Sequence, residues 1–331
     1  MSLKVGILGI GQAGQRQAIG FSQAENSEIT AIFDINKDMA DETAKEFKAI
    51  ACANWQDMFE LGIDILVIAT PHNLHIKPAI EAAGRGINIM MEKPLATNMK
   101  DSQQIVDICK AKNVKLATSH VHRFREEVQI VKQWITSGKI GDIMMIRETM
   151  NGQKPNPFPQ WLNSKEIAGG GVFMYGTIHG LDRIRWYAGS EISEIYGKVR
   201  YFSEEDEVED GGVATLQFKN GIVASVSACS PGYPAQPSNW DTEIYGTRGL
   251  ARLRVRGWAE LSNNDGQKRI TTSHISDELG IHYNFVRQAE DFNKAIIENH
   301  EPSVTGFDGL KSTEMVLKIY ESNETGKPVK F

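Results

Sequence analysis

The chain has little cysteine for its 331 residues, with only Cys52, Cys109 and Cys229. An odd number of cysteines without a Cys-x-x-Cys spacing argues against a disulfide framework and against a thiolate metal site. At this length about three quarters of the surface of the unfolded chain is buried on folding, so packing alone can supply the stability. We therefore expect a protein of the reducing cytoplasm.

The chain also lacks an excess of basic residues and any long apolar run. Asp and Glu number 42 against 36 Lys and Arg, which gives a formal net charge of -6. Such a charge repels nucleic acid and anionic membrane surfaces. No stretch of about 20 apolar residues is present to span a bilayer, and the N-terminal MSLKVGILGI has no cleavable signal pattern. We expect a small-molecule partner, and neither a nucleic acid nor a membrane.

Short apolar runs alternate with amphipathic segments through the first 118 residues. The runs are typical of strands, and the segments between them are typical of helices; the runs are KVGILG, EITAIFD, DILVIAT, INIMME and VKLAT. Their residues are apolar on both faces, as in a parallel sheet that helices cover on two sides. We predict an α/β domain with a doubly wound parallel sheet over residues 1–118.

The pattern changes after residue 118. The stretch GVATLQFKNGIVASVSA is typical of two antiparallel strands that are joined at Lys219, Asn220 and Gly221. We predict a second α/β domain over residues 119–331, with a large, mainly antiparallel sheet and flanking helices. Because no Gly/Ser linker separates the two domains, we expect them to be tightly joined with a cleft between them.

A glycine-rich motif follows the first predicted strand and opens a helix: Gly9, Ile10, Gly11, Gln12, Ala13 and Gly14. Gly9 permits a tight turn, Gly11 lets the backbone approach a pyrophosphate, and Gly14 allows close packing of the helix. The helix N-terminus offers its N–H groups to the phosphates. These six residues are predicted to bind a dinucleotide, which makes the first domain a Rossmann domain.

Asp34 ends the second predicted strand, twenty residues after Gly14. A carboxylate at this place accepts hydrogen bonds from the ribose hydroxyls and repels a 2′-phosphate, which favours NAD over NADP. Lys37 leaves NADP open, because a nearby cation could accommodate the additional phosphate.

Several blocks of the sequence resemble the Gfo/Idh/MocA family of oxidoreductases. They are TPHNLH at 70–75, MEKPLA at 91–96, GGGVFMYGTIHGLD at 169–182, EIYGTRG at 243–249 and YESNETGKPV at 320–329. The resemblance implies redox chemistry at a secondary alcohol of a sugar, cyclitol or related polyol. It also implies a homodimer or homotetramer formed through the C-terminal sheet. It places further residues at the cofactor, namely Thr70, Pro71, His75, Glu92 and Lys93.

The resemblance also implies the catalytic residues. Lys93 follows the strand INIMM, at the sheet edge where ligands of open parallel sheets bind, and its peptide bond to Pro94 is expected to be cis. Tyr175, His179 and Asp182 share one helical face by their spacing. His179 is predicted to remove the hydroxyl proton as hydride passes to the nicotinamide, while Lys93 hydrogen-bonds the same oxygen.

Many members of the family carry aspartate four residues before this histidine, where this chain has Tyr175. A neutral phenol can only hydrogen-bond, so we expect either a less basic His179 or a direct role of Tyr175 in proton transfer. Arg123, Trp161 and Asp182 are predicted to contact substrate, and a role at the domain interface is the alternative for Arg123 and Trp161.

Two pairs of histidines could suggest a metal, His72 with His75 and His120 with His122. Neither pair has a third ligand at a suitable spacing, so no metal is expected. Besides a dehydrogenase, two other functions stay open. The protein could be a non-catalytic NAD-binding sensor, or an NAD-assisted glycosidase in which oxidation is transient.

Overall fold

The structure is a computed structural model that describes residues 2–152, 158–202, 207–230, 238–275, 280 and 282–331. By its internal contacts the chain divides into two units. The first unit is Met1–Val121 with Leu279–Leu310, and the second unit is His122–Glu278 with Lys311–Phe331. The predicted division after residue 118 assigns residues 279–310 to the second domain, whereas the structure assigns them to the first unit.

A six-stranded parallel sheet lies at the centre of the first unit. Its strand order is β3-β2-β1-β4-β5-β6, the order of a dinucleotide-binding sheet whose topological switch point lies between β1 and β4. The strands are β1 Leu3–Leu8, β2 Ser27–Phe33, β3 Ile50–Ala51, β4 Ile65–Ile68, β5 Asn88–Met91 and β6 Leu116–Thr118. The predicted doubly wound parallel sheet is therefore confirmed.

Helices cover both faces of this sheet; they include α1 Gln12–Gln23, α2 Lys37–Phe47, α3 Asp57–Glu60, α4 Ile76–Gly84 and α5 Met99–Lys112. Successive side chains of a strand point to opposite faces. In β4, Ile65 and Val67 therefore enter one core with Phe21 of α1. Leu66 and Ile68 enter the other core with the alanines of α4. Burial on both sides explains the continuous apolar runs of the sequence.

The second unit contains a nine-stranded sheet in the order β14-β13-β12-β11-β7-β10-β9-β8-β15. Its strands are β7 Ile143–Asn151, β8 Ile192–Arg200, β9 Gly211–Phe218, β10 Val223–Cys229, β11 Asn239–Gly246, β12 Gly249–Arg254, β13 Trp258–Asn263, β14 Gly266–Thr271 and β15 Val329–Lys330. Of the pairings within the described residues, β7 with β10 is parallel and the rest are antiparallel. The predicted β9–β10 hairpin is confirmed, and Gly221 in its turn has φ +88.

Helices α6 Glu126–Thr136 and α8 Ile178–Ala188 pack on one face of this second sheet. The short helix α7 Lys165–Ala168 and a π-helical turn at Phe173–Thr177 precede α8. Leu181 and Ile184 of α8 share a core with inward-facing strand residues such as Leu216. On the other face of the sheet Val213 and Val223 are about half exposed, at 57% and 46%. We call this second surface the open face of the sheet.

Two long helices complete the chain, α9 Tyr283–Ile297 and α10 Gly306–Thr325. The first of them, α9, is amphipathic, with Phe285, Ala289 and Phe292 on its buried face. It packs on α1 of the first unit so closely that a Cβ at Gly20 would lie 2.8 Å from the Phe285 carbonyl oxygen. The packing of α9 on α1 explains why residues 279–310 belong to the first unit. Among the described residues, a search for helices with the length and hydropathy of a bilayer span finds none.

Candidate functional site

The turn between β1 and α1 needs glycine at two positions. Gly9 has φ +92, and a Cβ there would lie 2.7 Å from the Ala69 carbonyl oxygen. A Cβ at Gly14 would lie 1.9 Å from the Gly9 carbonyl oxygen. The turn is therefore confined between the end of β4 and the first turn of α1, as expected for the first and third glycines of the motif.

Gly11 differs from both of these glycines. It precedes α1 and has φ -62, and a Cβ built on it would meet no atom within 4 Å. Glycine supplies no capping side chain, so open space lies in front of the first N–H groups of the helix at Gln12 and Ala13. An uncapped helix N-terminus with open space before it fits the pyrophosphate of a dinucleotide.

Asp34 follows β2 and is bonded to the glycine turn. Its Oδ2 accepts a hydrogen bond from the Ile10 N–H at 2.7 Å, and its Oδ1 accepts one from the Asn36 N–H at 2.8 Å. A carboxylate has about four acceptor positions, so both oxygens keep capacity for ribose hydroxyls. Lys37 is exposed at the start of α2.

His75 joins two loops at the carboxyl ends of the strands. It is fully buried, and its Nε2 lies 2.9 Å from the carbonyl oxygen of Thr70, in the loop after β4. Its Nδ1 lies 3.0 Å from the carbonyl oxygen of Pro94, in the loop after β5. Burial lowers the pKa of His75, although these backbone contacts oppose the shift. His75 therefore holds together the loop that carries Thr70 and Pro71 and the loop that carries Lys93.

Lys93 follows β5, and its peptide bond to Pro94 is cis, as the resemblance implied. The neighbouring Glu92 is buried; its Oε1 accepts a hydrogen bond from Gln17 Nε2 at 2.7 Å, and its Oε2 accepts one from the Lys93 N–H at 3.3 Å. Burial lowers the pKa of Lys93 and the Arg16 guanidinium adds to this, while the Glu92 carboxylate opposes it.

The sequence analysis missed a chain of three buried polar residues, of which Gln17 contacts Glu92 directly. Gln17 is completely buried on α1, and its Nε2 also donates to Ser119 Oγ at 2.8 Å. Gln288 Nε2, on α9, donates to Gln17 Oε1 at 3.3 Å. One signal could have revealed Gln17, since it lies on the buried face of α1 together with Ala18 and Phe21. Gln288 has no such signal, because the packing of α9 on α1 is a long-range contact.

In the second unit, two histidine rings lie against each other. His179 is buried on α8, and its ring stacks on that of His122 with centroids 4.4 Å apart and planes 16° apart. The indole of Trp240 also lies against the His122 ring, with the two ring centroids 4.9 Å apart. His122, considered above only with His120 as a metal pair, is thus a neighbour of the predicted base. The described residues contain no cluster of three or more His, Cys, Asp or Glu that could hold a metal.

A buried polar network surrounds this histidine pair. Arg183, one turn after His179 on α8, donates from Nη2 to Glu148 Oε1 at 2.5 Å and from Nε to Thr242 Oγ1 at 2.9 Å. Its Nη1 lies 3.3 Å from His122 Nδ1. Burial lowers the pKa of His122 well below its usual range, and His179 and Arg183 lower it further.

Two of the predicted substrate residues bind each other. Arg123 Nε donates to Asp182 Oδ2 at 2.8 Å and Arg123 Nη2 donates to Asp182 Oδ1 at 2.5 Å, and both side chains are buried. The guanidinium also lies 5.4 Å from the centre of the Trp186 ring. This buried bidentate pair holds α8 to the segment that precedes α6, and the substrate contacts of Arg123 and Asp182 stay a prediction.

Tyr175 and Trp161 are both half-buried. The Tyr175 hydroxyl donates to Ser230 Oγ at 3.1 Å, and the ring of Phe158 lies edge-on at a centroid distance of 5.6 Å. Tyr175 belongs to the π-helical turn, so the regular helical spacing assumed for Tyr175, His179 and Asp182 applies only within α8. Trp161 lies in a short 3-10 helix at Gln160–Asn163.

Two family models match the chain. Residues 3–120 match the one described as "Oxidoreductase family, NAD-binding Rossmann fold", and residues 128–252 match the "GFO/IDH/MocA C-terminal domain". Together the two matches cover well over half of the chain. The strand order and the glycine turn of the first unit agree with the first of these descriptions.

Characterised proteins resemble the chain over most of its length. The levoglucosan dehydrogenase of Pseudarthrobacter phenanthrenivorans is 27% identical, over 97% of this chain and 96% of that protein. The 2,7-anhydro-N-acetylneuraminate hydratase of Escherichia coli (strain K12) is 26% identical, over 83% and 74%. A solved structure of levoglucosan dehydrogenase in complex with NADH and levoglucosan has a TM-score of 0.91 at 25% identity, over 100% and 99%. The chain belongs to the Gfo/Idh/MocA family of oxidoreductases, and its first unit is the family's NAD-binding Rossmann domain.

Proposed function

We propose that this protein is an NAD-dependent dehydrogenase that interconverts a secondary alcohol of a sugar, cyclitol or related polyol and the corresponding ketone. The observation that carries the proposal is Lys93, an ammonium group with a lowered pKa at the carboxyl end of β5 in an NAD-binding sheet. The similarity to levoglucosan dehydrogenase supports a carbohydrate substrate. NADP stays a possible second cofactor because of Lys37.

The residues of the chain have separate roles in this proposal. When bound, NAD supplies the acceptor for the hydride. The glycine turn and Asp34 hold its pyrophosphate and ribose. Lys93 Nζ donates a hydrogen bond to the oxygen of the substrate hydroxyl, and the imidazole of His179 accepts the hydroxyl proton. In the reverse direction His179 returns this proton to the oxygen.

A substrate screen tests the proposal. Sugars, anhydrosugars, cyclitols and sugar acids are each incubated with NAD and, in parallel, with NADP, and NADH or NADPH formation is followed by absorbance. We expect oxidation of at least one compound with NAD. His179→Ala should reduce turnover by about 10² to 10⁴ while NAD binding persists, because only proton transfer is lost. Unchanged turnover would remove His179 from the mechanism.

A second candidate is a reaction in which oxidation is only transient. One relative is named a hydratase, and hydration consumes no oxidant overall. The screen therefore also includes anhydrosugars and glycosides whose products are detected chromatographically. Product formation without accumulation of NADH would favour this second reaction over net dehydrogenation. NAD binding with no conversion of any compound would favour the non-catalytic sensor.

The open face of the second sheet is proposed to bind a second copy of the chain. Five charged residues of alternating sign lie beside one another on adjacent strands, in the order Arg147, Glu243, Arg252, Glu260 and Arg269. Val213 and Val223 extend the same face as exposed apolar residues. Arg147 and Arg269, which are the exposed ends of this row, and the two valines can contact a copy of the same face across a two-fold axis.

A further inference from the structure

We infer that His122 is a positioning residue for His179: Arg183 keeps His122 neutral, and the flat His122 ring sets the orientation of the His179 imidazole. This inference rests on the proposed function, in which His179 is the base. It is argued from three features of the second unit: a fixed hydrogen-bond donor, a buried network that fixes this donor, and the stacking of the two rings.

The donor decides which nitrogen of His122 carries the proton. A guanidinium has only N–H donors and no acceptor. Arg183 Nη1 lies 3.3 Å from His122 Nδ1, so Nδ1 must accept with its lone pair. A neutral imidazole has one N–H, which therefore lies on Nε2. Protonation of Nδ1 would place two donors against each other.

Arg183 cannot turn away from His122, because its other nitrogens are bound. Nη2 and Nε donate to Glu148 and Thr242, and Thr242 Oγ1 in turn donates to Glu148 Oε2 at 2.7 Å. The three side chains form a closed ring of hydrogen bonds, and each is at most 2% exposed. Rotating the guanidinium would break a buried ion pair, which is strongly unfavourable.

The cations around His122 all disfavour its protonation. Arg183 approaches from α8, Arg125 from the start of α6 and Arg256 from the turn between β12 and β13, and each cation disfavours a proton on His122. Glu148, on β7, is bound to Arg183 and so offsets only part of this positive charge. Burial adds to the effect by penalising the charged ring.

Stacking transmits these constraints to His179. With ring planes 16° apart and centroids 4.4 Å apart, the His179 ring cannot rotate about its Cβ–Cγ bond without moving His122. Trp240 lies against His122 at 4.9 Å and limits that movement. A neutral neighbour also presents an electron-rich face to the imidazolium that forms when His179 takes up a proton. The pair therefore takes up at most one proton beyond its neutral state, and His179 takes up that proton.

The protonation states are measured directly on the wild-type protein. With ¹⁵N-labelled imidazole rings, His122 is assigned by the loss of its signals in His122→Phe. We expect His122 to keep the shifts of a neutral ring protonated on Nε2 from pH 5 to pH 8, with NAD or without it. Titration of His122 to the imidazolium in this range, or a proton on Nδ1, would overturn the inference.

Two variants separate the effect of the flat His122 ring from the effect of the hydrogen-bond acceptor at its Nδ1. His122→Phe keeps a flat ring but removes the acceptor of Arg183, whereas His122→Asn keeps an acceptor near Nδ1 but removes the ring. Because loss of orientation can lower the rate by about 10²-fold, we expect kcat to fall by about tenfold or more in His122→Asn. It should fall less in His122→Phe, which keeps the flat ring, than in His122→Asn, and KM for NAD should be unaltered in both.

The reverse order of the two variants, with Asn active and Phe inactive, would overturn the role of the ring. Thermal unfolding of each variant shows whether it is folded, and if His122→Phe does not fold, selective labelling of the wild type still decides the tautomer. If no alcohol is oxidised by the wild type, the proposed function fails, yet the imidazole spectra still decide whether Arg183 keeps His122 neutral. The two failures are therefore distinguishable.

Discussion

Gly11 and Gly14 are three residues apart in one turn, yet a methyl group would have a different effect at each. At Gly11 it meets nothing within 4 Å, and at Gly14 it meets the Gly9 carbonyl oxygen at 1.9 Å. We predict that Gly11→Ala leaves stability nearly unchanged but weakens NAD binding about tenfold or more, because the methyl group fills the space for the pyrophosphate. Gly14→Ala should weaken NAD binding and also lower the free energy of unfolding by about 1–3 kcal/mol.

Urea unfolding and fluorescence titration with NAD measure both effects. Gly84→Ala is the matched control, since Gly84 lies at the end of α4 and its Cβ would also meet nothing. This control should retain both stability and NAD affinity. Normal NAD affinity in Gly11→Ala would show that the pyrophosphate does not bind at this turn.

The carboxylate of Glu92 opposes the effects that lower the pKa of Lys93. Glu92→Gln removes this opposition, so the pKa of Lys93 should fall further. The alkaline limb of the kcat/KM profile, where Lys93 loses its proton, is then expected to move to lower pH. Glu28→Gln, at an exposed position of β2, serves as the control. A limb that stays in place or moves to higher pH would contradict the role of Lys93 as a charged donor.

Tyr175 occupies the position where many family members carry aspartate. An anion near His179 would favour the imidazolium, so Tyr175→Asp should move the acid limb of the pH–rate profile to higher pH. Tyr175→Phe removes the hydrogen bond to Ser230 and should lower kcat if the hydroxyl takes part in proton transfer. Identical profiles for the wild type and both variants would show that this position has no influence on His179.

At the scale of elements, the N-terminus of the helical segment that carries His179 depends on one buried carboxylate. Glu209 accepts hydrogen bonds from the N–H groups of Gly171 and Phe173 at 2.7 and 3.0 Å, and from the Tyr320 hydroxyl at 2.7 Å. The Glu209 carboxylate therefore satisfies, from outside the helix, two N–H groups at the start of the segment that have no acceptor within it. Burial nevertheless raises the pKa of Glu209 above its usual 4.5.

A raised carboxyl pKa makes the folded state bind more protons than the unfolded state, so stability falls as pH rises above 4.5. We predict that Glu209→Gln removes this part of the pH dependence. The unfolding free energy of the wild type minus that of the variant should therefore become smaller, or negative, as pH rises. Urea unfolding at several pH values measures it, with the exposed Glu321→Gln as control. A difference that grows with pH would contradict the raised pKa.

At the scale of the whole molecule, the proposal that the open face of the second sheet binds a second copy can be tested by the mass of the protein in solution. We predict that the wild type is a dimer or tetramer by light scattering, and that Val213→Lys lowers its mass because a charge is placed in the apolar part of the face. Ile297→Lys is the control, since Ile297 is 51% exposed on α9 in the other unit. A monomeric wild type, or an unchanged mass in Val213→Lys, would contradict this interface.

Much of the fold follows from local patterns. Apolar runs separated by amphipathic segments predict the parallel sheet, because strands buried on both faces need apolar residues on both sides. The two-residue strand β3 has no comparable pattern and is missed. The return of residues 279–310 to the first unit is also missed, since the close contact of Gly20 with Phe285 joins positions that are far apart in the sequence.

The sequence by itself determined the family, the glycine turn and the acidic residue after β2, because their chemistry depends on residues that are neighbours in the chain. Only the tertiary structure decided what surrounds the predicted base. It paired Arg123 with Asp182, and it brought His122 to His179 under the control of Arg183. Buried charges need partners wherever the fold can supply them, and the fold supplies them from strands and helices that the sequence separates.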